Sequence, residues 1–299
     1  MSEERQRAVF ITGAAGGLGR SSTQLLVKKG WQVFAADYDQ AALKRLRQDV
    51  DVVPVALDVT DTASVKKAVT QVSRKVDGLD GLVNFAGILA VGSMIEMPEE
   101  TLRRLFEVNV FGTYRVNQAF FPLLRTRAGR IVNISSETGW QSGAPFNGAY
   151  AMTKHAIEAY SDSLRRELAL LNMHVIKIQP GPFKTEMTAA IGPNFDRAAE
   201  ASTLFGPYLR GMRGAAVGEG EHASDPKILA EAVLKALTAK AAGPGVLGEG
   251  SPGSFVAGEA ANTGDRCTAE RGHQARLETV ARRPGKASYT PDHAPCPAT

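Results

Sequence analysis

Tyr150 and Lys154 stand four residues apart in Tyr-Ala-Met-Thr-Lys. On a helix that spacing stacks both side chains on one face. An ammonium beside a phenol favours the phenolate and lowers the tyrosine pKa from about 10 toward working pH. The pair is then a general acid/base able to exchange a proton with an alcohol or a carbonyl. Alone, such a pair is more often a surface contact, so the surroundings decide. Ser135 and Ser136 lie upstream in GRIVNISS, where a hydroxyl can hydrogen-bond a substrate oxygen as charge develops on it. Asn109 lies in the preceding long helical segment, in FEVNVFG.

A second group of residues suits a nucleotide. The first strand runs into Thr12-Gly13-Ala14-Ala15-Gly16-Gly17-Leu18-Gly19 and then a helix. Gly13 allows a tight turn, Gly17 or Gly16 lets the backbone approach a pyrophosphate, and Gly19 lets the helix pack close to the sheet. The helix N-terminus offers free N–H groups and a positive dipole end. Asp37 ends the second strand, where a carboxylate accepts from the adenosine ribose hydroxyls and repels a 2′-phosphate. No Arg or Lys lies within the glycine loop or directly after Asp37, so NAD is favoured over NADP. Asp37 could instead only cap the next helix, a task also open to Asp39.

The elements that must position these groups alternate along residues 1–242. AVFIT, WQVFAA, VVPVAL, GLVNFA, GRIVNIS and HVIKIQ are short, β-branched or aromatic, and bounded by turn residues. Helical spacing lies between them, with longer helices near 100–126, 148–171 and 226–240. Alternation of this kind predicts an α/β fold, a doubly wound parallel sheet of Rossmann-like type in one domain. Ligands bind outside the carboxyl ends of such strands. Asn84-Phe85-Ala86-Gly87 and Pro180-Gly181 sit at those ends. A net charge of +4 gives no reason to expect nucleic acid. No apolar run approaches the roughly 20 residues of a membrane helix, and the charged N-terminus reads as no signal peptide. The expectation is a cytoplasmic protein. His155, His174 and His222 are scattered, so no metal site is expected.

Residues 243–299 change character. Gly and Pro make about a quarter of them, and large aliphatics and Phe about a tenth. They read as a low-complexity, disordered or aberrant tail, of the kind a shifted reading frame in a GC-rich gene would produce. Cys267 and Cys296 fall there and form no disulfide framework.

Taken jointly, these motifs resemble the short-chain dehydrogenase/reductase family over about residues 7–241. TGAAGGLG is similar to its TGxxxGxG loop, Asp58-Val59 to the acidic residue that meets the adenine, and NFAG to NNAG with Phe85 substituted. Asn109, the serine pair, YAMTK and PGPFKT follow in the family's order. The resemblance implies a tetrad of Asn109, Ser136, Tyr150 and Lys154, with Ser135 the alternative serine. It implies that Thr185 contacts the nicotinamide amide, and that Gly13, Gly17, Leu18, Gly19, Asp37, Asp58, Val59, Asn84, Ala86, Gly87, Tyr150, Lys154, Pro180, Gly181 and Thr185 hold the cofactor. Hydride would pass between a carbinol carbon and nicotinamide, Tyr150 would move the proton, and Asn109 would hold a water in a proton relay. Residues 186–220 would form a flexible lid, loosened by Gly192, Gly206, Gly211 and Gly214. Met187, Ile191, Phe195, Leu204, Phe205, Tyr208, Leu209 and Met212, with Trp140 and Phe146, suggest an apolar alcohol or ketone. The long helices suggest a homodimer or homotetramer. The family's seventh strand finds no convincing counterpart in the tail. That leaves a second reading, a catalytically impaired nucleotide-binding relative.

Overall fold

The computed structural model describes residues 5–239 together with Ser254 and Phe255. Six strands follow the hydrophobic runs: β1 (Ala8–Thr12), β2 (Gln32–Asp37), β3 (Val53–Ala56), β4 (Gly81–Asn84), β5 (Arg130–Ile134) and β6 (Val175–Ile178). A seventh, β7, is the pair Ser254–Phe255. All pair in parallel, in the order β3-β2-β1-β4-β5-β6-β7. β1 and β4 are wholly buried, as strands covered on both faces must be.

Helices cover the two faces: α1 (Gly17–Lys28), α2 (Gln40–Asp49), α3 (Thr62–Ser73), α4 (Glu99–Phe106), α5 (Thr113–Arg125) and α6 (Gly148–Ala169). Beyond β6 follow α7 (Glu186–Ala189), α8 (Ile191–Ala201), α9 (Gly206–Glu221) and α10 (Pro226–Thr238). One core layer gathers Phe10, Phe34, Phe120 and Leu82 under α3 and α5, with the Phe10 and Phe120 rings 4.0 Å apart. The other gathers Ile11, Leu26, Val33 and Val233 under α1 and α10.

Three local features differ from the sequence expectation. The segment near 100–126 is not one regular helix: a π-helical turn, Glu107–Gly112, joins α4 to α5. Residues 186–220 are helical, with Gly192 inside α8 and Gly206, Gly211 and Gly214 inside α9. β7 supplies a strand where the sequence offered none: Lys177 and Ile178 pair with Ser254 and Phe255. Two residues are too short to show a strand period, so the pattern could not reveal it. The rest of the segment 243–299, including both cysteines, lies outside the described residues.

Candidate active site

β1 and β4 are adjacent although β2 and β3 intervene in sequence, so the chain leaves β1 in opposite directions on its two sides. That switch point opens a crevice at the strands' carboxyl ends. A cleft of about 1270 Å³ lies there. It is lined by Gly13, Gly17, Leu18, Gly19, Asp37, Asp58, Val59, Ala86, Gly87, Ser135, Ser136, Tyr150, Lys154, Pro180, Gly181 and Thr185.

The glycines are required by space. Gly13 has φ +64°, in the left-handed region, and a Cβ there would come within 2.8 Å of the Ala86 nitrogen. A Cβ on Gly19 would stand 2.0 Å from the Gly13 carbonyl oxygen. Gly19 thus lets α1 close on the loop's own backbone, where the sequence suggested the sheet. A Cβ on Gly17 would lie 2.7 Å from Thr185 Cγ2. The start of α1 has no side-chain cap, whereas α2, α3 and α10 are capped by Asp39, Asp61 and Asp225. Its first turn lines the cleft and carries no acidic residue, an arrangement that fits a pyrophosphate.

Asp39 accepts from Ala41 and Ala42 N–H, each at 2.9 Å, and so caps α2. Asp37 is free of that task. Its Oδ2 accepts from Ala15 N–H of the glycine loop at 2.9 Å, and its Oδ1 from Asp39 N–H at 3.0 Å. Two anchors hold its carboxylate at the cleft's edge. Asp58 is fixed likewise, accepting from Thr60 N–H and hydroxyl at 2.8 and 2.6 Å.

Tyr150 and Lys154 project from the first turns of α6. Lys154 Nζ donates to the Ile134 carbonyl at 3.0 Å and lies over the Tyr150 ring, 5.4 Å from its centre. Burial pushes the Tyr150 phenol up to about 12, opposed by a hydrogen bond with Ser136 and reinforced by the Glu137 carboxylate. Burial also brings Lys154 down to about 8, partly countered by Glu158. The expected lowering of Tyr150 is therefore absent in this geometry: burial outweighs the contributions that favour the phenolate. The serine pair divides by direction. Ser136 favours the Tyr150 phenolate and accepts from Thr138 N–H at 3.3 Å, while Ser135 Oγ turns to the Lys154 carbonyl, 3.5 Å away.

Two expected residues do not line the cleft. Asn84 turns into the core, donating to Asn117 Oδ1 at 2.7 Å and Asn133 Oδ1 at 2.9 Å. Alternation along β4 sends its side chain between strands and helices. Asn109 is 2% exposed in the π-helical turn. Its Oδ1 accepts from Ile88 N–H at 2.8 Å, and its Nδ2 donates to the Ile88 carbonyl and Thr153 Oγ1 at 2.9 and 3.1 Å. The extra residue of such a turn often marks a functional site; here it ties the loop after β4 to the helix carrying Tyr150.

The substrate-side expectation also changes. Phe195, Ala199 and Leu209 form a buried cluster between α8 and α9, with Phe146, Ile191, Phe205 and Met212 packed against it. Of the apolar residues named above, Met187 lines the cleft. Most of the others pack this helical pair, and Trp140, Leu204 and Tyr208 are exposed. Sequence reasoning missed Arg45 and Ile88 as lining residues. Helical spacing from Asp39 through Ala42 would have brought Arg45 to the same face.

A glycine-loop cleft at a parallel-sheet switch point, with a Tyr–Lys–Ser group at its end, defines a Rossmann-like architecture. Residues 7–195 match the short chain dehydrogenase family, and the chain belongs to it. Human retinol dehydrogenase 16 is 39% identical over 198 residues, covering 63% of this chain and 61% of that protein. Mouse 17-beta-hydroxysteroid dehydrogenase type 6 is 38% identical over 196 residues, covering 64% and 61%. The chain thus spans about three fifths of the length of these relatives. A short-chain dehydrogenase structure from Streptomyces avermitilis superposes with TM-score 0.71 at 30% identity, covering 94% of this chain and 98% of that one. The structure of an actinorhodin polyketide ketoreductase with NADPH gives TM-score 0.69 at 28% identity, covering 80% and 93%. Among the described residues no helix is long and apolar enough to cross a membrane.

Proposed function

We propose that this chain interconverts a secondary alcohol and a ketone, or an aldehyde, with NAD favoured over NADP. The observation that carries the reading is that Ser136, Tyr150 and Lys154 together line the end of the glycine-loop cleft. A bound nicotinamide supplies the hydride acceptor or donor. Ser136 holds the substrate oxygen, and the Tyr150 hydroxyl takes or returns its proton. Lys154, anchored at the Ile134 carbonyl, reaches the ribose side of the cleft and stabilises negative charge near Tyr150. Asn109 acts through position, because its side chain is committed to Ile88 and Thr153. Thr185, which caps α7 and touches Gly17, borders the nicotinamide end. Asp37 meets the ribose hydroxyls. Relatives named for retinol and for 17-beta-hydroxysteroids support an alcohol on a large apolar skeleton.

Turnover of steroid and medium-chain secondary alcohols, followed by nicotinamide absorbance, tests this reading. Tyr150→Phe should lower kcat by about 10²–10⁴-fold, the usual size of acid–base catalysis, with nucleotide affinity nearly unchanged. Near-normal turnover by that variant would remove Tyr150 from the chemistry.

A further inference from the structure

We propose that Glu96 fixes the substrate-side wall by latching the turn between α8 and α9 to the loop after β4. The inference rests on reading the cleft as a dehydrogenase site. Glu96 lies more than a hundred residues from the turn it holds. Its Oε1 accepts from Thr203 N–H at 2.9 Å, Thr203 Oγ1 at 2.6 Å and Leu204 N–H at 2.9 Å. Its Oε2 accepts from Ser202 Oγ, which in turn accepts from Phe205 N–H at 2.8 Å. One carboxylate therefore gathers, directly or through one hydroxyl, the N–H groups of three consecutive residues.

The mechanics of the segment give this contact its weight. Beyond β6 an isolated parallel bridge joins Phe183 to Ser224, where Lys184 N–H donates to Ser224 O and Ser224 N–H to Pro182 O, both at 3.0 Å. Residues 184–224 are thus hydrogen-bonded at their root. At the tip, apolar packing of Phe195, Ala199 and Leu209 with Val91 and Phe146 holds α8 and α9 down. Apolar contact is non-directional and tolerates sliding. Charge-assisted hydrogen bonds are directional and stronger than neutral ones, so Glu96 sets the register in which the pair docks. The docked turn presents Phe205 edge-on to Phe146, their ring centres 5.8 Å apart. Phe146 stands four residues before Tyr150, so the wall's position is referred to the acid/base. The cofactor side is separate: the part of this segment that lines the nucleotide cleft is its root, at Thr185–Thr188. The hydrogen bonds from Ser202 and Thr203 hold the Glu96 carboxyl down at about 2. The latch therefore stays charged at any working pH and is not a pH switch.

Hydrogen–deuterium exchange of the full chain, unmutated and as Glu96→Ala and Glu96→Gln, tests the latch without reference to activity. Thr203 and Leu204 amides should lose protection by about tenfold in Glu96→Ala and less in Glu96→Gln, since a neutral amide oxygen is a weaker acceptor. With saturating NAD, KM for the secondary alcohols should rise about tenfold, while NADH affinity moves less than about twofold. Unchanged amide exchange would overturn the latch. So would raised exchange with KM unmoved, or a fall in NADH affinity as large as the rise in KM. If the unmutated chain turns over no alcohol or ketone, the functional reading fails, and the exchange measurement still decides whether Glu96 holds the turn.

Discussion

Tyr150 shows how far residue type and spacing carry an argument. The four-residue interval places Lys154 on the same face of α6, and the structure stacks the ammonium over the ring. The interval says nothing of burial, and burial dominates: the phenol rises to about 12 and the ammonium falls to about 8. The sign for catalysis follows. On the proposed mechanism reduction needs Tyr150 protonated, which holds at every pH below about 12. Oxidation needs the proton gone, so its rate should climb with pH, approaching about tenfold per unit well below the pKa. Initial rates in both directions across the neutral and alkaline range check this. An oxidation rate that levels off near neutrality would show that nucleotide or substrate binding lowers the phenol by several units. Ser136 and Ser135 carry the same lesson. The sequence left the pair open, and it is backbone direction that points Ser136 to Tyr150 and Ser135 to the Lys154 carbonyl.

At the scale of elements, the six strands were legible because most are short runs buried on both faces, bounded by turn residues. The glycine loop was legible because it follows the first strand and opens a helix. Its steric reasons were not, since the atoms that exclude a Cβ at Gly17 belong to Thr185, far along the chain. The π-helical turn and the helices of 186–220 were hidden, the first because one extra residue barely disturbs a helical period, the second because glycines mask helical propensity. A paired substitution separates the two kinds of glycine. Gly19→Ala would drive a methyl onto the Gly13 carbonyl, backbone that cannot yield cheaply, so nucleotide binding and thermal stability should both fall. Gly211 lies inside α9 with nothing within 4 Å of an added Cβ. Gly211→Ala should be neutral or stabilise by about 0.5–1 kcal/mol. Thermal unfolding of both variants checks the contrast; equal losses would mean that the loop's tight packing is not what requires glycine there.

For the whole molecule, strand order decides where everything meets. Because β1 lies between β2 and β4, the glycine loop, Asp37 and the Phe85–Ile88 segment converge on one crevice, and β5 and β6 bring Ser136 and Pro180 to its far end. This convergence was implied by strand–helix alternation, whereas Glu96 and β7 depend on partners too distant or too short to read from a pattern. The same topology makes cofactor choice a property of the assembled fold. Asp37 is anchored by Ala15 and Asp39, yet Arg45 of α2 lines the same edge. A 2′-phosphate would meet both a fixed anion and an exposed cation. At 4 Å and an effective dielectric near 20, opposite contributions of about 4 kcal/mol are in play. The anchored carboxylate should prevail, because the exposed Arg45 is free to swing into solvent and is screened there. A thermal titration of the full chain with NAD and with NADP measures the balance. Nucleotide at about a hundred times its dissociation constant should add about 2.7 kcal/mol, raising Tm by roughly 5–10 °C. NAD should reach that shift at lower concentration than NADP. Asp37→Asn keeps an acceptor for the ribose and removes the charge, so the two titrations should draw together, and adding Arg45→Ala should part them again. Equal titrations with the unmutated chain would mean that Arg45 offsets Asp37, making the cleft indifferent to the 2′-phosphate.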